Sequence, residues 1–201
     1  MVIDLDKYFN EIDLECNNEN DLVPIKAYQL DKKGRGHDAT SGIKDELKVN
    51  KIKSCDYFLE NDEKIFIVEI SDFFRQFDYL KESYSKVKKC EDLDKKDLKL
   101  VKSCMSPEKI IKSEIKNKFL NTLLILHYFD LLEDKRKKIC LILAFCSNND
   151  DLVRILDAIK RNLENELQNL VDNIELILAK DIQDLIKRYL KLEKKVNCSL
   201  I

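Results

Sequence analysis

Apolar positions along this chain follow two different rhythms, and the changes between them mark its elements. Ile65, Phe66, Ile67, Val68 and Ile70 form one nearly unbroken apolar run, and Ile139-Cys140-Leu141-Ile142-Leu143-Ala144-Phe145-Cys146 forms another. Short continuous runs bounded by turn residues predict buried strands. Residues 52–59 predict a strand that pairs with 64–71 as a hairpin across Glu60-Asn61-Asp62-Glu63-Lys64, and Lys26 to Leu30 and Ile174 to Ala179 predict two more. Elsewhere apolar residues recur every three or four positions, the helical rhythm. Leu5, Tyr8, Phe9 and Ile12 predict a short amphipathic helix over 4–16, and Phe73, Phe74, Phe77, Leu80 and Tyr84 predict one after the hairpin. The charged stretch Lys88 to Lys99 reads as a connection leading into a polar helix start. Ser106-Pro107-Glu108 is a helix start, with serine as N-cap, proline at the first position and acid in the first turn. That helix is expected to run to about Leu132, with Ile111, Ile115, Phe119, Leu123 and Leu126 as its stripe and His127 as a packing or capping residue.

A further helix begins at Asn148-Asn149-Asp150 and carries Leu152, Leu156, Ile159, Leu163, Leu167 and Leu170; a last one covers Asp181 to Lys195. The 152–170 pattern is too short for a leucine zipper and suits a helix packed on a sheet. Strand, helix and strand over 139–179 imply a parallel crossover, so the fold class expected is α/β with a mixed central sheet flanked by helices.

At 201 residues, 44% hydrophobic and 37% charged, the chain can bury a substantial core. Its net charge of −2 gives no global attraction to nucleic acid or anionic membrane. A nucleic-acid surface would be local, and Lys48, Lys51 and Lys53, or Lys86, Lys88 and Lys89, are candidates beside the plainer reading of solvated lysine-rich faces. Seven cysteines without a C-x-x-C spacing, and two histidines far from any cysteine pair, argue against a zinc site and for buried, reduced thiols. The N-terminus has no signal-peptide pattern and no apolar stretch is long enough to span a bilayer, so the expectation is a cytoplasmic protein without membrane contact. Lys33-Gly34-Arg35-Gly36-His37-Asp38 reads as a surface loop; it lacks the length and the downstream Lys-Ser/Thr of a phosphate-binding loop. No Gly-x-Ser-x-Gly elbow and no dinucleotide fingerprint is present.

Candidate chemistry lies in the hairpin. Asp56 and Glu69 each interrupt an apolar strand, where a carboxylate is costly unless paired or bound to a cation. Side-chain alternation places Glu69 on a face with Ile65, Ile67 and Ser71, and Asp56 on a face with Phe58. Neither acid therefore sits on a purely polar face. The competing reading makes both acids water-facing edge residues, each opposite a lysine.

Cys55-Asp56-Tyr57-Phe58-Leu59 followed by Phe66-Ile67-Val68-Glu69-Ile70-Ser71 resembles the acidic hairpin of the PD-(D/E)xK nuclease superfamily, and the later strand–helix–strand resembles the rest of that core. The resemblance implies a restriction-endonuclease-like sheet, Mg²⁺ held by Asp56 and Glu69, and hydrolysis of a DNA or RNA phosphodiester. It also divides the chain into 1–71 (helix, loop and acidic hairpin), a helical insertion over 72–135, and 136–201 completing the core. The family's lysine would fall at Ser71, whose hydroxyl would then help orient water. Lys53, Lys64 or Arg75 would have to supply the positive charge. Three functions stay open: a Mg²⁺-dependent nuclease of the bacterial restriction or defence type; an inactive nuclease-fold subunit that binds nucleic acid or assembles with a protein partner or a second copy through the helical insertion; and an α/β interaction protein whose acids never meet.

Overall fold

The computed structural model describes residues 4–13, 22–31, 41–89, 94–132, 137–147 and 149–196. Six strands form one sheet in sequential order: β1 (Phe9–Asp13), β2 (Leu22–Gln29), β3 (Tyr57–Glu60), β4 (Lys64–Ser71), β5 (Lys138–Phe145) and β6 (Asn173–Leu178). The first four run as an antiparallel meander, and β4, β5 and β6 are parallel. The expected mixed sheet flanked by helices is therefore present, as is the parallel β5–β6 crossover.

The two faces of the sheet are served by different helices. Ile65, Ile67, Leu141, Leu143 and Phe58 pack beneath α4 (Pro107–Tyr128) and α5 (Asp150–Leu167), meeting Ile111, Ile115, Phe119, Leu156 and Leu163. Tyr57, Phe66, Val68, Ile70, Ile142 and Ala144 pack on the opposite face against Ile182, Leu185 and Ile186 of α6 (Ile182–Val196). Because β4 and β5 are covered on both faces, their sequences are continuous apolar runs and not alternating ones. The buried stripe of α4 is the one its spacing predicts. The helix ends at Tyr128, short of Leu132, and His127 is exposed. Asn149 caps α5, its side chain accepting from the backbone N–H groups of Asp151 and Leu152. Ser106 precedes Pro107 in extended conformation, yet its side chain makes no capping hydrogen bond.

Three expectations need correction. The strand expected over 52–59 begins only at Tyr57, so Asp56 precedes β3 and does not interrupt it. The helix expected over 4–16 is a 3-10 turn (Leu5–Tyr8) leading into β1. Three- and four-residue spacing over so short a stretch also suits a turn followed by a strand, and the edge of β2 offers a partner: Phe9 pairs with Tyr28 and Asn10 with Ala27. An aromatic row then crosses the strands, with Phe9–Tyr28 and Tyr28–Phe58 ring centroids both 4.9 Å apart. The cysteines are not uniformly thiols either. Cys55, Cys104 and Cys140 are free, whereas Cys146, just past β5, is disulfide-bonded. The glycine-rich stretch 33–38 lies outside the described residues.

Beyond β2 the chain turns back through α1 (Ile43–Glu46). A side chain at Gly42 would collide with the backbone of Leu30, whose oxygen lies 2.5 Å from an added Cβ, so only glycine permits this approach. Buried Lys44 pairs with Asp31 at 2.9 Å, and the Tyr8 hydroxyl donates to Glu46, holding α1 to the sheet. No described helix is long and apolar enough to cross a membrane.

Candidate active site

Asp56 and Glu69 act on one ammonium group, Glu69 from β4 and Asp56 from the residue before β3. In the β3–β4 hairpin Phe58 opposes Ile67 and Tyr57 opposes Val68; the ladder ends there, and Asp56 is the residue just before β3, beside the strand residue Glu69. Glu69 follows Ile65 and Ile67 onto the α4 face, and Asp56 follows Phe58 onto it. The chain approaches this point in a fixed conformation. The Asp56 N–H donates to Val68 O at 3.0 Å, and Leu30 N–H donates to Asp56 O at 2.8 Å. The Asp56 carboxylate is also anchored, Oδ2 accepting from the backbone N–H of Ile70 at 2.8 Å. Both acids are buried, Glu69 to 2% exposure and Asp56 to 9%.

The cation facing them comes from α4, and none of the three expected cations fills that role. Lys118 donates from Nζ to Glu69 Oε1 at 2.6 Å. Lys53 is exposed and pairs with Glu114 at 3.4 Å. Lys64 stands over the Tyr189 ring on the α6 side, and Arg75 lies exposed on α2 (Phe73–Lys88). Ser71 ends β4, half-buried and paired with Phe145 in the ladder. Alternation puts it on the Glu69 face, and no described contact ties it to the acids.

Lys118 is held in place by its own helix. Thr122, one turn later and fully buried, donates to Lys118 O at 2.9 Å and accepts from the Cys55 N–H at 2.9 Å. One threonine thus pins both the strand end carrying Asp56 and the turn carrying Lys118. Burial alone would lower the Lys118 pKa, but the charges of Glu69 and Asp56 outweigh it and hold the ammonium well above the ordinary lysine value. Both acids therefore act on the same ammonium. Neighbouring Cys55 is completely buried, and burial, followed by the charges of Glu69 and Asp56, pushes its thiol well up.

A sequence signal for Lys118 exists. Ile111, Ile115, Phe119, Thr122 and Leu126 define the buried stripe of α4, and Lys118 and Thr122 fall inside it at helical spacing. A lysine and a threonine in the middle of an apolar stripe need a buried polar partner. Around this centre Gln76 of α2 donates to Glu114 Oε2 at 2.8 Å, and Glu114 lies one helical turn before Lys118.

The donor set suits a hard divalent cation. Mg²⁺ is commonly held by one or two carboxylates and retains waters. Glu69 supplies carboxylate oxygens from β4, and Asp56 supplies them from the residue before β3, anchored by Ile70 N–H. No group of three or more His, Cys, Asp or Glu side chains with metal-site geometry exists among the described residues. No protein-family model, curated protein or solved structure matches this chain, so the fold and this site stand on their own geometry.

Proposed function

We propose that the chain is a Mg²⁺-dependent phosphodiesterase acting on nucleic acid, with Asp56 and Glu69 as metal ligands and Lys118 as the cation beside the reacting phosphate. The observation that carries this reading is two buried carboxylates, Glu69 on β4 and Asp56 just before β3, both acting on a single lysine of α4. The restriction-endonuclease-like reading of the core is supported by the acid-bearing antiparallel hairpin and the parallel β4, β5 and β6 beside it. Lys118 is the counterpart of the lysine that the resemblance requires and Ser71 cannot supply.

Bound Mg²⁺ would polarise a phosphoryl oxygen and lower the pKa of water, which is the chemistry phosphodiester hydrolysis needs. The chain's own part is positional. Ile70 N–H orients the Asp56 carboxylate, Thr122 fixes the backbone turn that carries Lys118, and the ammonium stays protonated through the neutral range. Charge so placed in a partly water-excluded site stabilises a phosphorane-like transition state without having to reorganise.

A second reading is a nuclease-fold subunit that binds nucleic acid without cutting it; the hydroxyl of Ser71 at the end of β4 favours it. Cleavage assays on DNA and RNA with wild type, Asp56→Ala and Glu69→Ala separate the two. The proposal expects hydrolysis that EDTA and either substitution abolish while folding is retained. Cleavage unchanged in both variants overturns it, and binding without cleavage in wild type identifies the subunit.

A further inference from the structure

Two helices follow the Glu69 strand in the chain, and each leaves most of its surface exposed. α2 leaves β4 directly, starting two residues after Ser71, and Phe73 at its first position is its one buried side chain. Its 16 residues reach about 24 Å at the helical rise. α3 (Lys95–Cys104) buries none of its described side chains; Leu98 and Val101 are half-buried and Leu100 is 62% exposed. Ten-residue helices are marginal in water without a packed face. α2 packs on the core through Phe73, Phe77 and Leu80 and leaves its opposite face uncovered, and α3 buries none of its described side chains; together they are the α2–α3 arm.

Charge indicates what covers it. Residues 81–105 hold eight lysines against five acidic residues, in a chain whose net charge is −2. Lys81, Lys86, Lys88, Lys89, Lys95 and Lys96 are all exposed, and Lys99 joins them on α3. Few of these charges are spent internally: Lys86 pairs with Glu82 at 2.7 Å in full solvent, and Lys88 lies over the Tyr84 ring. The arm also presents Tyr79, 69% exposed and on the same face as Arg75 and Lys86, at four- and seven-residue spacing. Lysines with an interleaved aromatic ring on an otherwise acidic protein complement a nucleic-acid strand, phosphates to the ammonium groups and a base to the ring.

We infer that the α2–α3 arm is a nucleic-acid-binding element that holds the phosphate backbone of a substrate whose scissile bond reaches Asp56, Glu69 and Lys118. This rests on the proposed nucleic-acid role of the acidic hairpin, but it concerns binding and not cleavage. The arm begins at Phe73, four residues beyond Glu69 in the chain.

The test is fluorescence anisotropy of a labelled DNA duplex and a single-stranded RNA, each of about 30 nucleotides per strand, titrated with the full chain in EDTA at stepped salt. The triple variant Lys95→Glu/Lys96→Glu/Lys99→Glu should bind both probes at least tenfold more weakly. Its salt slope should fall by about 2–3, the counterions that three lysines would release. The neutral triple Lys→Gln variant should lie between, and all three proteins should melt alike. Equal affinity and slope in wild type and variants overturn the inference. So does binding to phosphatidylserine vesicles that the variant loses, without nucleic-acid binding by wild type. A wild type that binds through the arm yet never cleaves removes the hydrolase proposal and leaves this inference standing; one that cleaves and binds equally well as the triple variant does the reverse.

Discussion

Replacing Lys118 by methionine keeps the stem of the side chain and removes its ammonium, leaving Asp56 and Glu69 to face each other across the α4 interface. Removing one partner of a buried ion pair costs about 3–5 kcal/mol, because the remaining charge stays desolvated. Lys118 keeps 21% of its side chain exposed, so water screens part of that loss. The lower end, about 3 kcal/mol, is expected. For a chain of this size that lowers the melting temperature by roughly 6–12 °C. The folded-state pKa of Lys118 is raised. Its contribution is therefore complete below the unfolded lysine value of about 10.4 and is lost as pH climbs through the folded-state value. The gap between wild type and variant should accordingly be level from neutral pH up to that alkaline window and narrow above it. Divalent metal should offset about half of the defect: Mg²⁺ at ten times its dissociation constant returns about 1.4 kcal/mol to the variant by linkage. Thermal melts of both proteins with Mg²⁺ and with EDTA measure all of this. A variant that melts within about 1 °C of wild type in EDTA would show that the ammonium does not hold the carboxylates, and the site as described would be wrong.

Thr122→Val should cost about 1–3 kcal/mol by denaturant titration, since it leaves the buried Cys55 N–H without its acceptor. An unchanged midpoint would mean that another acceptor takes over. In native protein at mildly alkaline pH, a thiol reagent should modify exposed Cys104 rapidly and leave Cys55 and Cys140 untouched until the chain unfolds, because burial protects both and raises both thiols, that of Cys140 to about 12. Modification of Cys55 at the rate of Cys104 would contradict its placement behind Thr122.

Much of the sheet was legible in the chain because its inner strands obey a simple rule. β4 coincides with the apolar run 64–71, β5 with 138–145, and alternation alone assigned Glu69 to the face of Ile65 and Ile67. The register of Tyr57 with Val68 and Phe58 with Ile67 is what a short turn between two apolar strands nearly fixes, but Asp56 lies one residue outside β3 and beyond that ladder. Strand β1 was not legible, because its pairing with β2 is a tertiary fact and its apolar spacing is ambiguous over so few residues. Lys118 escaped for a different reason. Lys53, Lys64 and Arg75 are near the hairpin in sequence, whereas the lysine in contact lies 49 residues beyond Glu69, on a helix whose buried stripe is mostly apolar. A polar residue within such a stripe carries as much information as the stripe itself.

The central claim is that the carboxylates of Asp56 and Glu69 jointly chelate a cation, and calorimetric titration of Mg²⁺ into wild type and Glu69→Gln tests it most directly. The account predicts a saturable one-site isotherm for wild type that the Glu69→Gln substitution abolishes without altering the fold. Identical isotherms for the two proteins, or no heat from wild type at millimolar Mg²⁺, would contradict it.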